Sequence, residues 1–317
     1  MQQSVFIKVA AVFLNKKVKK MKKKTEKRPQ TKISMLLQLF MAVMFLTGAA
    51  VFTYPFLADA LSNYLDQRRI ENYQKQLARE KEEKHEQRLA VQEKKNQALA
   101  STAAIPGMGQ VKDPFEQAVR DVRNPGKEYY EQHMIGAIYI PKINVSLPLF
   151  DETNDLLLDR GATVLQGTSF PIGGENTHSV ITAHSGVAEK KLFTDLEKME
   201  KNDRFYLEVY GQMLAYEVVE KIVVLPTKTD TLAIREKQDL VTLITCTPYT
   251  VNTHRLLVTG KRVPFTEEAS SKMEKTKRYH LYRLLALLLG VLLILTLFGY
   301  WGYRKFKRQK QPKKNNR

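Results

Sequence analysis

The chain holds one cysteine, Cys246, and six histidines. A thiol becomes a nucleophile when a cationic neighbour lowers its pKa from about 8.5. The arrangement to look for is therefore a cysteine with a histidine or arginine beside it. Cys246 closes the run Val241-Thr242-Leu243-Ile244-Thr245, which reads as a strand, and Thr247-Pro248 follows. A strand end aims a side chain from a rigid element into a cleft. His184 ends a second apolar run, Val180-Ile181-Thr182-Ala183, and precedes the turn Ser185-Gly186. It too is a strand-end residue, and it is the best-placed partner. His85 sits in a charged stretch, His280 beside an apolar run, His133 in a loop and His178 before a strand. Arg255 opens the run Leu256-Leu257-Val258-Thr259, nine residues after Cys246. A returning strand brings it back near the thiol, where a guanidinium stabilises a developing oxyanion. His254 beside it would face the other side of the strand. The residues alone also fit blander readings: an inert buried thiol, a core or surface histidine, an arginine in a surface ion pair. No zinc-ligand spacing and no phosphate-binding glycine motif is visible, so neither a metal nor another cofactor is expected.

The elements that hold these residues are short and β-like. Residues 138–140, 147–150, 179–183, 204–210, 213–225, 241–246 and 256–261 are rich in Val, Ile, Leu, Thr and Tyr. Pro141, Gly173-Gly174, Gly186, Gly211, Pro226 and Pro248 punctuate them. Tyr210-Gly211-Gln212 between two alternating runs reads as a hairpin turn. Helical pieces are expected only at 155–160 and 192–199. Seven or eight strands at this spacing predict a mainly β fold, a closed or nearly closed barrel.

The formal charge of +18 lies outside this region. Residues 1–32 carry 11 Lys/Arg and one acid, and residues 281–317 carry 9 Lys/Arg and no acid. Residues 57–280 hold the remaining 31 Lys/Arg against 32 acids, a net of −1. A nucleic-acid binder carries its basic patch on the folded domain, so no nucleic-acid partner is expected. Each basic end flanks an apolar run, 33–56 and 284–300, long enough to cross a bilayer. Tyr282, Tyr300, Trp301 and Tyr303 border the second. Lysine and arginine mark the cytoplasmic side. Both termini are expected in the cytoplasm, with 57–280 outside as one loop and the lipid bilayer as a partner. Ala58-Asp59-Ala60 resembles a small-x-small cleavage site. The apolar run before it is longer than a signal core, so a retained anchor is expected. Residues 60–100 are Ala/Glu/Lys/Gln-rich without Gly or Pro, good helix formers with sparse apolar positions. They read as a solvated helical stalk or a charged linker.

The residues also resemble a known family. Thr242-Leu243-Ile244-Thr245-Cys246 matches the TLxTC motif of sortases, with Thr242, Leu243 and Thr245 flanking the nucleophile. His184 upstream and Arg255 downstream complete the Cys/His/Arg set of that family. The resemblance covers roughly 105–265. A C-terminal apolar segment and an Asp113-Pro114-Phe115 triplet ahead of the barrel resemble class C (pilus-assembly) sortases in particular. Taken alone, the triplet is also an ordinary helix start, Asp as N-cap and Pro first in the helix.

The resemblance implies a closed eight-stranded sortase-like β-barrel with short helices, an N-terminal helical stalk and lid, and two transmembrane helices. The expected segments are a basic 1–32, a span or signal-anchor at 33–56, a stalk or linker at 57–104 and a lid at 105–126. The catalytic barrel follows at 127–265, then a linker at 266–280, a span at 281–303 and a basic tail at 304–317. In the implied lid, Asp113 faces Arg255 and Phe115 packs near Cys246. The implied reaction is attack by Cys246 on the carbonyl between Thr and Gly of an LPxTG-like sorting signal. Arg255 stabilises the oxyanion, His184 protonates the leaving amine, and a pilin lysine resolves the thioester. Pilin subunits with such signals and an acceptor lysine are the implied partners. The alternatives are a housekeeping sortase attaching proteins to a cell-wall precursor, an exterior cysteine peptidase, and a non-enzymatic membrane-tethered β-barrel that binds a partner.

Overall fold

A computed structural model describes residues 32–101, 126–187 and 190–310. Eight strands close into one barrel in the order β1-β2-β3-β4-β7-β8-β6-β5. They are β1 Met134–Ile140, β2 Val145–Phe150, β3 Ala162–Val164, β4 Thr177–Thr182, β5 Arg204–Val209, β6 Gln212–Val224, β7 Asp239–Thr247 and β8 His254–Val263. Seven of them grow from the expected β-like runs. The eighth, β3, is three residues long, too short for alternation to reveal it. It pairs parallel with β2 and antiparallel with β4 and so closes the ring.

Between β5 and β6 the expected hairpin turn is present. Val209 pairs with Gln212, and both intervening residues have positive φ, Tyr210 at 48° and Gly211 at 82°. Two left-handed residues in succession match the twist of the flanking strands. The expected helix at 192–199 is reduced to a single 3-10 turn, Leu196–Lys198. Its apolar residues Leu192, Phe193, Leu196 and Met199 instead serve as a plug, buried in the barrel core with Ile138, Leu207, Val241, Leu243 and Val258.

Outside the barrel lie helices α1 Lys32–Leu77, α2 Glu82–Ser101, α3 Lys127–His133, α4 Asp155–Leu158 and α5 Glu267–Lys310. By its contacts the chain divides between Tyr54 and Pro55. In the first unit α1 is apolar, with Phe40, Val51 and Phe52 exposed. Two helices, Leu39–Leu77 and Glu267–Arg304, are long and apolar enough to cross a membrane, and their apolar windows are unburied.

In the second unit the stretch expected as a solvated stalk is helical and largely exposed, but one side of it docks on the barrel. Gln67 Nε2 donates to Ser146 Oγ at 2.8 Å, and Gln74 Nε2 donates to Glu208 Oε2 at 2.6 Å. Ile70 is buried with Tyr139, Phe150 and Tyr206 on the outer surface of the barrel. On α2, Asn96 accepts from the Phe170 amide and donates to the Phe170 carbonyl. Sparse apolar positions misled because the docking is carried by side-chain amides, which read as solvent-facing in a sequence. The expected linker at 266–280 is continuous with α5, and its Ala269 and Met273 pack on Tyr139 and Tyr206.

Candidate active site

The outer face of β4, β7 and β8 carries the candidate site residues. Side chains alternate across a strand. On β7, Val241 and Leu243 fill the core, so Thr242, Ile244 and Cys246 face outward. On β8, Leu256 and Val258 face in while Arg255, Leu257 and Thr259 face out. On β4, Ile181 and Ala183 face in, and Val180 and Thr182 face out. His184, two residues past the end of β4, continues that outward series.

Register then brings three strand ends together. Cys246 and Arg255 are direct partners in the antiparallel β7–β8 pair, which sets their Cβ atoms about 5 Å apart. On the other side β4 runs parallel to β7 with Thr182 opposite Ile244, at the usual separation of about 4.8 Å. The pairing continues past the strand end. The Ala183 amide donates to the Ile244 carbonyl, Thr245 Oγ1 donates to the Ala183 carbonyl at 2.8 Å, and Ser185 Oγ donates to the Cys246 carbonyl at 2.7 Å. His184 is bracketed by these last two bonds, so its place beside Cys246 is set by hydroxyls from both strands.

Each group has a defined setting. Cys246 is half-buried. Arg255 is 9% exposed, and its Nη1 donates to the carbonyls of Asn252 at 3.0 Å and His254 at 3.1 Å. These bonds tether the guanidinium over the β7–β8 loop. His184 Nε2 lies 3.8 Å from Asp159 Oδ1, on the turn after α4. That carboxylate is exposed and lies beyond hydrogen-bond range, so the contact contributes little to stability. Gly186 has φ +78°, and a Cβ there would lie 3.2 Å from the Tyr249 ring. The loops after β4 and β7 thus close against each other beside Cys246.

The motif threonines act as staples. His178 Nδ1 lies 2.9 Å from the Ala233 carbonyl, which only accepts, so Nδ1 carries the proton. Burial pushes the His178 pKa down, outweighing the raising effect of that bond, and the ring is neutral with Nε2 an acceptor. Thr242 Oγ1 therefore donates to Nε2 at 2.7 Å and accepts from Thr259 Oγ1 at 2.8 Å. One chain of bonds crosses β4, β7 and β8, the strands that lead to His184 and carry Cys246 and Arg255 near their adjoining ends. Leu243 packs in the core.

His133, expected in a loop, ends α3 with Nδ1 2.8 Å from Asp151 Oδ1. His254 is the first residue of β8, next to Arg255. Asp113, Pro114 and Phe115 lie outside the described residues. Asp159 and Ser185 escaped the sequence reading. Asp159 meets His184 only through folding across β3 and β4, and a serine after a turn histidine is commonplace.

A family model described as the sortase domain matches residues 138–263. Sortase A of Listeria monocytogenes is 28% identical over 146 residues, 46% of this chain and 64% of that protein. The chain spans less than two thirds of the length of the curated relatives it matches. A solved mutant of sortase C-1 from S. pneumoniae is 38% identical, with a TM-score of 0.56, over 63% of this chain and 98% of that one. A Clostridium perfringens sortase C, solved with the C-terminal cell wall sorting motif, is 37% identical, with a TM-score of 0.51, over 62% of this chain and 99% of that one. With 38% identity across almost the whole of a solved sortase C and a closed eight-stranded barrel under the matched domain, this chain belongs to the sortase family, among its class C (pilus-assembly) members.

Proposed function

We propose that this chain is a membrane-anchored cysteine transpeptidase that joins pilin subunits. The observation that carries the reading is the opposition of Cys246 and Arg255 across β7 and β8, with His184 at the adjoining end of β4. The Cys246 thiolate attacks the carbonyl between Thr and Gly of an LPxTG-like sorting signal. Arg255 stabilises the tetrahedral oxyanion. His184, as imidazolium, gives its proton to the departing glycine amine, and the C–N bond breaks to leave a thioester on Cys246. A lysine amine of the next pilin attacks that thioester, His184 takes up the proton released, and the thiolate leaves as the isopeptide bond forms. Splitting the transfer at a thioester replaces one difficult exchange by two easier ones. The C. perfringens neighbour solved with a sorting motif supports this substrate class.

The two long apolar helices support anchoring at both ends of the chain. Basic residues at 1–32 and 304–317 support cytoplasmic termini and an exterior barrel. Asp59, within the small-x-small triplet, is 4% exposed and ion-paired with Arg283 at 2.5 Å. That burial favours a retained anchor over a cleaved signal.

Asp113-Pro114-Phe115 serves as a lid in this reading, with the Asp113 carboxylate on Arg255 and the Phe115 ring over the thiol. Asp113→Ala or Phe115→Ala should then make Cys246 react several-fold faster with a thiol probe. Equal labelling of variant and parent would remove the lid. The transpeptidase is tested by incubating the full chain, in detergent, with an LPxTG-like peptide and a pilin-like subunit. A Cys246-dependent cross-link to a lysine is expected. Hydrolysis alone, with the amine present, would leave a peptidase.

A further inference from the structure

Lys190 lies six residues after His184 and is 8% exposed. A lysine is rarely buried unless paired, and this one holds two partners from different parts of the chain. Its Nζ is 2.6 Å from Asp66 Oδ2 and donates to the Arg160 carbonyl at 2.8 Å. Asp66 belongs to α1, ten residues beyond the apolar run, and is fully buried. Arg160 follows Asp159, whose carboxylate meets His184. The ammonium therefore ties together the loop that carries His184, the turn that carries Asp159, and the helix emerging from the apolar anchor.

The described residues of the His184 loop are braced at both ends of it. The His184 carbonyl accepts from the Phe193 amide at 3.0 Å, and the Gly186 amide donates to Thr194 Oγ1 at 3.0 Å. Next to Lys190, the Lys191 amide donates to Asp59 Oδ1 at 2.9 Å. The other oxygen of Asp59 holds Arg283 of α5. The helix α1 thus grips the segment 190–191 through two carboxylates, Asp59 and Asp66, and α5 holds Asp59 through Arg283. Burial pushes the Lys190 pKa down and Asp66 pulls it back up, so the cation depends on that carboxylate.

We infer that Lys190 and Asp66 are positioning residues for His184, making the juxtamembrane part of α1 a support of the active site. The inference rests on the proposed role of His184. A displacement of about 1 Å at a reacting group costs up to 10²-fold in rate, so loosening the knot should be felt in turnover rather than in substrate binding.

Lys190→Met is the cleanest probe, because Asp66 keeps its second cation, Arg69, at 2.6 Å. In the full chain in nanodiscs, kcat for sorting-peptide cleavage should fall about tenfold with KM unchanged, and the imidazole NMR signals of His184 should move. Lys190→Arg, which keeps a buried cation, should recover most of both. A second variant, Asp66→Leu with Lys190→Met, removes the buried pair together and leaves only Arg69, whose side chain is 38% exposed, to take water in place of its carboxylate. It should show the same loss. Wild-type His184 signals and kcat in both variants would overturn the inference, as would a loss confined to melting temperature or KM. If the parent chain cleaves no sorting peptide, the proposed reaction fails, and the His184 signals alone then decide the positioning.

Discussion

Cys246 and Arg255 owe their proximity to register. A lone cysteine and an arginine nine residues on are ambiguous in a sequence, since both have blander readings. The β7–β8 pairing removes the distance ambiguity by making them direct partners. Arg255→Lys keeps the charge but loses the planar fork that bonds the Asn252 and His254 carbonyls and would aim at an oxyanion. Its kcat for peptide cleavage should fall about 10²–10³-fold, the usual consequence of losing an oxyanion donor. Near-normal turnover would remove Arg255 from the reaction. The residues a sequence reading reaches are those carried on strand ends. Asp159 and Ser185 sit on turns whose meeting with His184 and Cys246 depends on three strands coming into order, and no local pattern records it.

Among the elements, β4, β7 and β8 were readable because Val, Ile, Leu and Thr alternate or run together over at least four residues. β3 was not, at three residues, and the 192–199 stretch looked helical because a buried plug and an amphipathic helix share an apolar composition. The staple His178–Thr242–Thr259 gives Thr242 its place in the motif. Thr242→Val leaves His178 Nε2 and the Thr259 hydroxyl short of partners in the interior and should destabilise the chain by about 1–3 kcal/mol, read as a lowered melting temperature.

The same histidine makes stability depend on pH. Its folded pKa is depressed by burial below the ordinary value of about 6.5. Between the two values the unfolded chain binds the proton that the folded chain refuses. Stability from this group is therefore intact above about pH 6.5 and is lost as pH falls from there through the folded pKa. A melting-temperature series should show this acid fall, and His178→Gln should make it shallower. An unchanged slope in the variant would mean that His178 titrates as an exposed imidazole.

The whole molecule is organised around its charge partition: basic ends, apolar flanks and a near-neutral middle. That much is readable from composition, because charge and apolar runs are spread over long segments. The docking of α1, α2 and α5 on the barrel is not, because Gln67, Gln74, Asn96, Asp59 and Asp66 all read as solvent-facing until their partners are known. The helices expected as a solvated stalk instead dock one side on the outer surface of the barrel. The most direct test of the molecule's proposed activity is intact-mass spectrometry of the full chain after brief exposure to an LPxTG-like peptide. The expected product is an acyl adduct on Cys246, equal to the peptide cut after Thr, that disappears when a lysine-bearing acceptor is added and reappears as acceptor–peptide conjugate. No adduct on Cys246 and no conjugate, with the parent chain folded, would contradict the account.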